Sequence, residues 1–405
     1  MNKTIGSTFV AAGTAIGGGM LALPLVSAGM GFGVSALLFL FIWAVMFKSA
    51  LLTLEVNLAF QAPRNHYATM AHATLGKPGK YLTYIAYILL LYALTSAYVT
   101  GGASLMQAAT TLLFNATLPN FINVLIFTVI LGAIVAWSTR AVDLCNRGLF
   151  SIKIVLLIAV FALFLPQVDY VVLFNNPQPT YLYAAAPVIL TAFGFHIVIP
   201  SLAQYLGPDP MRLRKVLFWG SVLPLALYLI WLASLLGTLP HEGEQSFSML
   251  AKTGGSVGEL MLAINFEMKK PWLSAVLNVF ANVAVITSFL GVSLSLFDFL
   301  RDKEHEVEPH RARTALFTFV PPVLIAIFYP NGFVQLLSYA SIFVAVILII
   351  LPAVMAYQVR RLPQLTTPYH TWGGTLMIFV MAFIGMAFIL VEVLRIMQKL
   401  PVWMG

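Results

Sequence analysis

The stretch Gly13-Thr-Ala-Ile-Gly-Gly-Gly-Met-Leu-Ala-Leu-Pro24 decides how this chain must fold. It lies inside a long apolar segment, yet it carries Gly13, Gly17, Gly18 and Gly19 and then Pro24, a combination that opposes a continuous helix. At membrane depth, unpaired backbone groups are tolerated only where protein buries them or a polar cavity receives them. A break here therefore points to a ligand or ion site. The plain alternative for glycines in a membrane segment is close helix packing, and the Gly13 to Gly17 spacing fits that as well.

The rest of the chain supplies the membrane context. Of 405 residues, 60% are hydrophobic and 9% charged, against about 25% charged in a typical soluble domain. The composition is that of a polytopic membrane protein. The formal charge of +8 comes from short basic clusters between apolar runs, which reads as topology and not as nucleic-acid binding. The lone Cys145 excludes an intrachain disulfide framework. Met1 to Lys3 followed by apolar residues is read as a retained first helix, because the segment runs on past Pro24 into further spans.

Eleven spans are expected: about Ile5 to Ala28, Val34 to Phe60, Tyr81 to Phe114, Phe121 to Trp137, Gly148 to Leu165, Tyr181 to Tyr205, Val216 to Leu239, Trp272 to Phe299, Ala315 to Tyr329, Phe333 to Tyr357 and Gly374 to Ile396. Connections holding Arg64, Lys77 and Lys80, Arg140 and Arg147, Arg212, Arg214 and Lys215, Arg301, Lys303, Arg311 and Arg313, and Arg360 and Arg361 all fall on one side. The positive-inside rule makes that side cytoplasmic, with the N-terminus inside and the C-terminus outside. Between Ser256 and Met268, Val257, Leu260, Met261 and Ile264 recur at helical spacing, which fits either a lid helix or an inert surface helix. A similar interfacial helix is expected over Tyr67, Met70, Ala71, Thr74 and Leu75, before Gly76.

A second interruption, Thr191 to Pro200, places Gly194 and a following proline in the sixth span. Two broken segments opening two five-span halves are the signature of an inverted-repeat secondary transporter. The halves cover about 5–166 and 181–357, with an extra helix at 374–396, all in one transmembrane domain.

The motifs GTAIGGGMLALP, LYALTSAYVTGG from Leu91, DLCNRGLFSIK from Asp143, FGFH from Phe193 and TSFLGVSLSLFDF from Thr287 resemble the hydroxy/aromatic amino acid permease family. The likeness runs through essentially the whole chain. It implies a LeuT-type fold of 5+5 inverted repeats plus one helix, with helices 1 and 6 discontinuous. It also implies proton-driven uptake of aromatic amino acids across the bacterial inner membrane, with tyrosine favoured, tryptophan the main alternative and sodium coupling a lesser one. No cofactor or metal is expected.

An amino acid's charged end suits a broken helix, whose amides can meet a carboxylate and whose unwound carbonyls can meet an ammonium. Gly17, Gly18 and Gly19 are the expected carboxylate amides, Gly13, Thr14 and Ala15 the carbonyls, and Phe193 and Gly194 the facing break. Tyr98, Phe193, Phe195 and Phe280 are candidates for an aromatic pocket, although each also fits plain packing in so aromatic a chain. Asn278 and Asn282, four apart on the eighth span, could receive a tyrosine hydroxyl or join helices. His196 is a candidate proton carrier or substrate contact, or a satisfied structural histidine.

Lys153 lies inside the fifth span and could snorkel to the interface. The resemblance implies another role. Sodium-driven LeuT-type members hold a cation between the first, fifth and eighth spans with paired hydroxyls like Thr287 and Ser288 as ligands. There the Lys153 ammonium would replace the metal and couple proton release to opening.

Lys48 and Glu55 share a face of the second span but stand ~10 Å apart along it, too far to pair directly. Lys48 has no partner that the sequence reveals: a cavity, a carboxylate or an anionic lipid all remain open. Glu55 is expected to snorkel or pair near the cytoplasmic face. Asp143 with Arg147 and Asp298 with Arg301 read as helix-end pairs. No P-loop and no His/Cys cluster at metal-ligand spacing appears. A channel would not need two matching breaks, and a membrane enzyme built on His196 lacks an acid/base partner.

Overall fold

In the computed structural model, residues 3–60, 66–174, 178–268, 271–301 and 311–403 are described. Arg64 and Lys303 of the basic connections lie outside the described residues. The described chain is helical without β-strands. Ten of its helical stretches are long and apolar enough to span a membrane. The chain is thus an all-α, multi-span membrane protein.

The count differs from eleven at the N-terminus. The first helix, α1 (Lys3–Ala15), is only 13 residues long. It stops where the glycines begin, and the helical residues beyond them run on as part of one stretch, Gly18–Leu58. Within that stretch a 3₁₀ turn over Gly18–Ala22 leads into α2 (Leu23–Ser27), which carries Pro24 in its first turn, where a proline costs no hydrogen bond. Gly31, at φ 72°, then turns the chain into α3 (Gly31–Leu58).

Helix α4 (Tyr67–Phe114) bends sharply at Gly76, whose φ of 70° excludes most side chains and separates the segment Tyr67 to Leu75 from the rest of the helix. After α5 (Asn120–Trp137), the Ser138 hydroxyl accepts from the Arg140 amide and starts α6 (Thr139–Phe164). Helix α7 (Leu182–Ala192) ends before Phe193, and a short 3₁₀ turn at His196–Val198 leads to α8 (Ile199–Leu206). Asp209 caps and Pro210 opens α9 (Pro210–Leu236).

The expected helix at Val257 is present as α10 (Val257–Met268), with Val257, Leu260, Met261 and Ile264 all buried. It packs on α4, where the Gly258 amide donates to Ser104 Oγ at 3.2 Å. Then come α11 (Pro271–Arg301), α12 (Arg311–Phe328), α13 (Phe333–Val344), a π-helical turn over Ala345–Ile350, α14 (Leu351–Val359) and α15 (Gly374–Ile396). Helix α11 packs on both α4 and α6, α1 on α9, and α7 on α3 and α13. This arrangement brings the ends of α1 and α7 together at the centre of the molecule.

The connection after α14 is built around a buried charge. Glu55, fully buried on α3, accepts two hydrogen bonds from Arg360 at 2.6 and 2.8 Å and one from the Thr371 amide at 2.7 Å. Thr371 Oγ1 also reaches the Leu51 carbonyl, and Thr367 Oγ1 the Glu55 carbonyl, so the segment is strapped onto the helix. Tyr369 is buried against Leu213, Val216 and Leu217. Lys48 finds its partner in the same strap: its Nζ donates to the Trp372 carbonyl and sits 3.3 Å from the centroid of the Trp372 ring. The Asp143–Arg147 and Asp298–Arg301 pairs are present at 2.8 and 3.2 Å.

Candidate functional site

Helix α1 ends at Ala15 because the next residues leave helical geometry: Gly17 is extended, with φ −134° and ψ −169°. The last carbonyls of a helix have no intrahelical donor, so they must be satisfied from elsewhere. Two side chains reach them. Lys153, on α6 and 3% exposed, donates from Nζ to the Ile16 carbonyl at 2.9 Å. Tyr228, fully buried on α9, places its hydroxyl 2.6 Å from the Ala15 carbonyl and 2.9 Å from the Ala192 carbonyl at the end of α7.

The ammonium of Lys153 also reaches Thr287 Oγ1 on α11 at 3.4 Å, and its charge lies 5.0 Å from the Phe150 ring centroid. Thr287 Oγ1 gives its own proton to the Ala284 carbonyl at 3.0 Å, which leaves its lone pairs for Lys153. Among the described residues no carboxylate pairs with Lys153. The site therefore holds one buried cationic group, one backbone carbonyl and one hydroxyl.

Beyond the break, the Gly18 amide donates to Ser288 Oγ at 2.6 Å. A Cβ at Gly17 would lie 2.7 Å from that same oxygen, so the glycine permits the approach. A Cβ at Gly18 would meet Tyr98 and Val285 at 3.2 Å, which fixes how closely α4 and α11 flank the turn.

These groups border a cavity of about 1310 Å³. Its wall includes Gly13, Thr14, Ala15, Gly17, Gly19, Tyr98, Lys153, Gly194, Thr287 and Ser288 from the expected set. Gly18 is set back from the wall, buried behind Ser288. The cavity runs from the break to the ends of α4, α6 and α11 at His66, Arg147 and Phe299, and Arg147, with a side chain 76% exposed, marks its mouth on the basic face. Most of the wall is apolar, with Tyr84, Tyr87, Phe150 and Leu94 among its members, and a ring-bearing ligand fits such a surface.

The remaining expected residues stand apart from the wall. Phe193 is buried in a cluster with Phe39 and Tyr228, with ring centroids 6.3 and 5.3 Å away. Phe195 packs with the Ile199 and Leu202 group, and Phe280 lies 5.5 Å from Trp231. Asn278 and Asn282 turn their amides back to the carbonyls one helical turn earlier, Ser274 and Asn278, at 2.8 and 2.9 Å. His196 is fully buried against Phe195 at 4.8 Å, and the Met46 backbone approaches its ring without completing a hydrogen bond. Gly13, Thr14 and Ala15 belong to the last turn of α1 and are not unwound, so the break begins later than expected, at Ile16.

Tyr228 is the residue that sequence reading missed. Its signal was present: a tyrosine amid Leu225 to Trp231 at mid-span carries a hydroxyl that must be satisfied away from water. What the sequence could not supply was the partner, because Ala15 is 213 positions away.

A profile of the tryptophan/tyrosine permease family matches residues 1–392. The chain is 36% identical to tyrosine-specific transport system 2 of Haemophilus influenzae over 100% of its own length and 99% of the relative's. It is 35% identical to a tryptophan-specific transport protein of Pseudomonas aeruginosa, covering 98% of this chain and 96% of that one. It is also 30% identical to glutamine transporter 2 of Aliivibrio fischeri over 89% of this chain and 90% of that one.

Proposed function

The chain belongs to the tryptophan/tyrosine permease family and is a transport protein, not an enzyme; from that premise we propose that it is a proton-coupled symporter. Its substrates are aromatic amino acids, with tyrosine favoured, imported across the bacterial inner membrane by alternating access. In this reading the architecture is a LeuT-type pair of inverted repeats, about 5–166 and 181–357, with α15 as the additional helix. The N-terminus lies inside and the C-terminus outside. The cavity opens on the basic face, which makes the conformation inward-facing.

The observation that carries the proposal is the position of Lys153: a buried ammonium bonded to the carbonyl at the α1 break and to Thr287 on α11. A proton on Lys153 ties α1, α6 and α11 at one point. Without that proton the nitrogen loses its charge, and the tie weakens. Proton occupancy is thereby linked to the position of α1 relative to the other two helices, which is what coupling to transport requires.

Substrate would enter beside the break. Gly17 and Gly19, which line the cavity, would offer backbone amides to the carboxylate, and Ala15 and Ala192, which also line it, their carbonyls to the ammonium. Tyr98 and the aromatic wall receive the ring. Gly18 can join only if Ser288 moves off its amide. A tryptophan-preferring transporter is the second reading, favoured by the similar identities of 36% and 35% to relatives named for the two substrates.

The test is uptake of labelled tyrosine and tryptophan into proteoliposomes under an imposed proton gradient, with a sodium gradient as control and glutamine as a third substrate. Accumulation of an aromatic amino acid above equilibrium with protons alone is expected. Accumulation only with sodium, or no accumulation of either aromatic substrate, overturns the proposal.

A further inference from the structure

Tyr228 lies outside the cavity wall, yet its hydroxyl contacts the two helix ends that form part of that wall. Its ring is held by edge contacts with Phe39 at 6.2 Å and Phe193 at 5.3 Å, so the hydroxyl has little freedom to move. The two oxygens it meets belong to Ala15 and Ala192, both of which line the cavity. A phenol has one proton. It can satisfy one carbonyl fully or share itself between both, and either way the pair stays short of donors.

Each carbonyl oxygen has two lone pairs. A donor behind the wall fixes where the oxygen sits and still leaves acceptor capacity for a second donor. Two carbonyls drawn to one buried point form a small electronegative centre. We propose that Tyr228 is the positioning residue for the substrate's ammonium: its hydroxyl holds the ends of α1 and α7 in one register, so that Ala15 and Ala192 present their carbonyls together. The inference rests on the amino acid reading above.

This assignment separates the two ends of the ligand. Misplaced carbonyls weaken binding only of ligands that carry an ammonium, because an aromatic acid without one makes no use of them. In Tyr228→Phe the ring contacts with Phe39 and Phe193 remain and only the hydroxyl is removed. One lost buried hydrogen bond corresponds to about a tenfold change in affinity.

The experiment measures uptake of labelled tyrosine by wild type and Tyr228→Phe in proteoliposomes, together with inhibition by 3-(4-hydroxyphenyl)propionate, the same molecule without its amino group. The expected result is a KM for tyrosine raised about tenfold, an unaltered maximal rate and an unaltered inhibition constant for the propionate. Equal weakening of both ligands would make Tyr228 a general structural residue and overturn the inference, as would an unchanged KM. Should Tyr228→Phe not fold, 3-fluorotyrosine in place of Tyr228 keeps the shape and strengthens the donor. It is then expected to lower KM, and an unchanged or raised KM overturns the inference. Absence of saturable tyrosine uptake by the wild type would instead overturn the functional reading itself.

Discussion

Two buried charges, Glu55 and Lys153, are treated in opposite ways by this fold. Glu55 is surrounded by its complement: a bidentate guanidinium, an amide and the His370 ring at 3.3 Å. Lys153 has a carbonyl and a hydroxyl and, among the described residues, no counter-ion. A fully compensated charge in a low-dielectric interior holds its neighbours in place, because removing either partner leaves the other stranded. An ammonium bonded only to a carbonyl and a hydroxyl is not locked to a neighbouring charge. Under the proposed function, the strap at 360–373 is structural and the α1 break is the working site.

The largest effect expected from this contrast is on stability. Glu55→Ala strands Arg360 and frees the strap, costing about 3 kcal/mol, the lower end of the range for breaking a buried pair because the Arg360 side chain is 17% exposed. Thermal unfolding in detergent, followed by tryptophan fluorescence, should report a clear fall in midpoint. Lys153→Met should differ in kind: relief of a desolvated charge offsets the loss of a donor to the Ile16 carbonyl, for a net change within about 1 kcal/mol. If Lys153→Met destabilised the protein as much as Glu55→Ala, the contrast between the two charges would fail.

A smaller effect should sharpen the same contrast at the break itself. In Gly17→Ala the new Cβ would lie 2.7 Å from Ser288 Oγ, so the extended backbone of the break must shift from the geometry proposed to hold the carboxylate. A rise of roughly three- to tenfold in KM for tyrosine is expected, with Gly33→Ala, where nothing lies within 4 Å, as a neutral control. Equal KM values for the two variants would show that the break tolerates a side chain.

Much of this was legible in the sequence, and the limits have physical causes. The glycines lie where α1 stops at Ala15, Gly194 lies just past the end of α7 at Ala192, and Lys153 stood out as an ionisable group inside a span. These are local signals, because backbone freedom and charge act where they stand. The strap, the Tyr228 tie and the Ser288 cap depend instead on partners far away in sequence, such as Tyr228 and Ala15, 213 positions apart, or Thr371 and Glu55, 316 apart. The aromatic wall was read least well for a different reason. Membrane helices are apolar on every side, so periodicity does not show which face of α7 or α11 meets the cavity. Phe193 and Phe280 therefore stand outside the wall of the cavity, packed against Tyr228 and Trp231, while Tyr84, Tyr87 and Phe150 line it. The count falls one short of eleven because α1 is too short to be counted separately and the residues after the glycines run on into the second span.

Whether proton coupling resides at Lys153 is read by separating accumulation from exchange in proteoliposomes. With Lys153→Met, a proton gradient should no longer concentrate tyrosine, while exchange of internal unlabelled for external labelled tyrosine continues. Accumulation by Lys153→Met at the wild-type level would contradict a coupling role for Lys153.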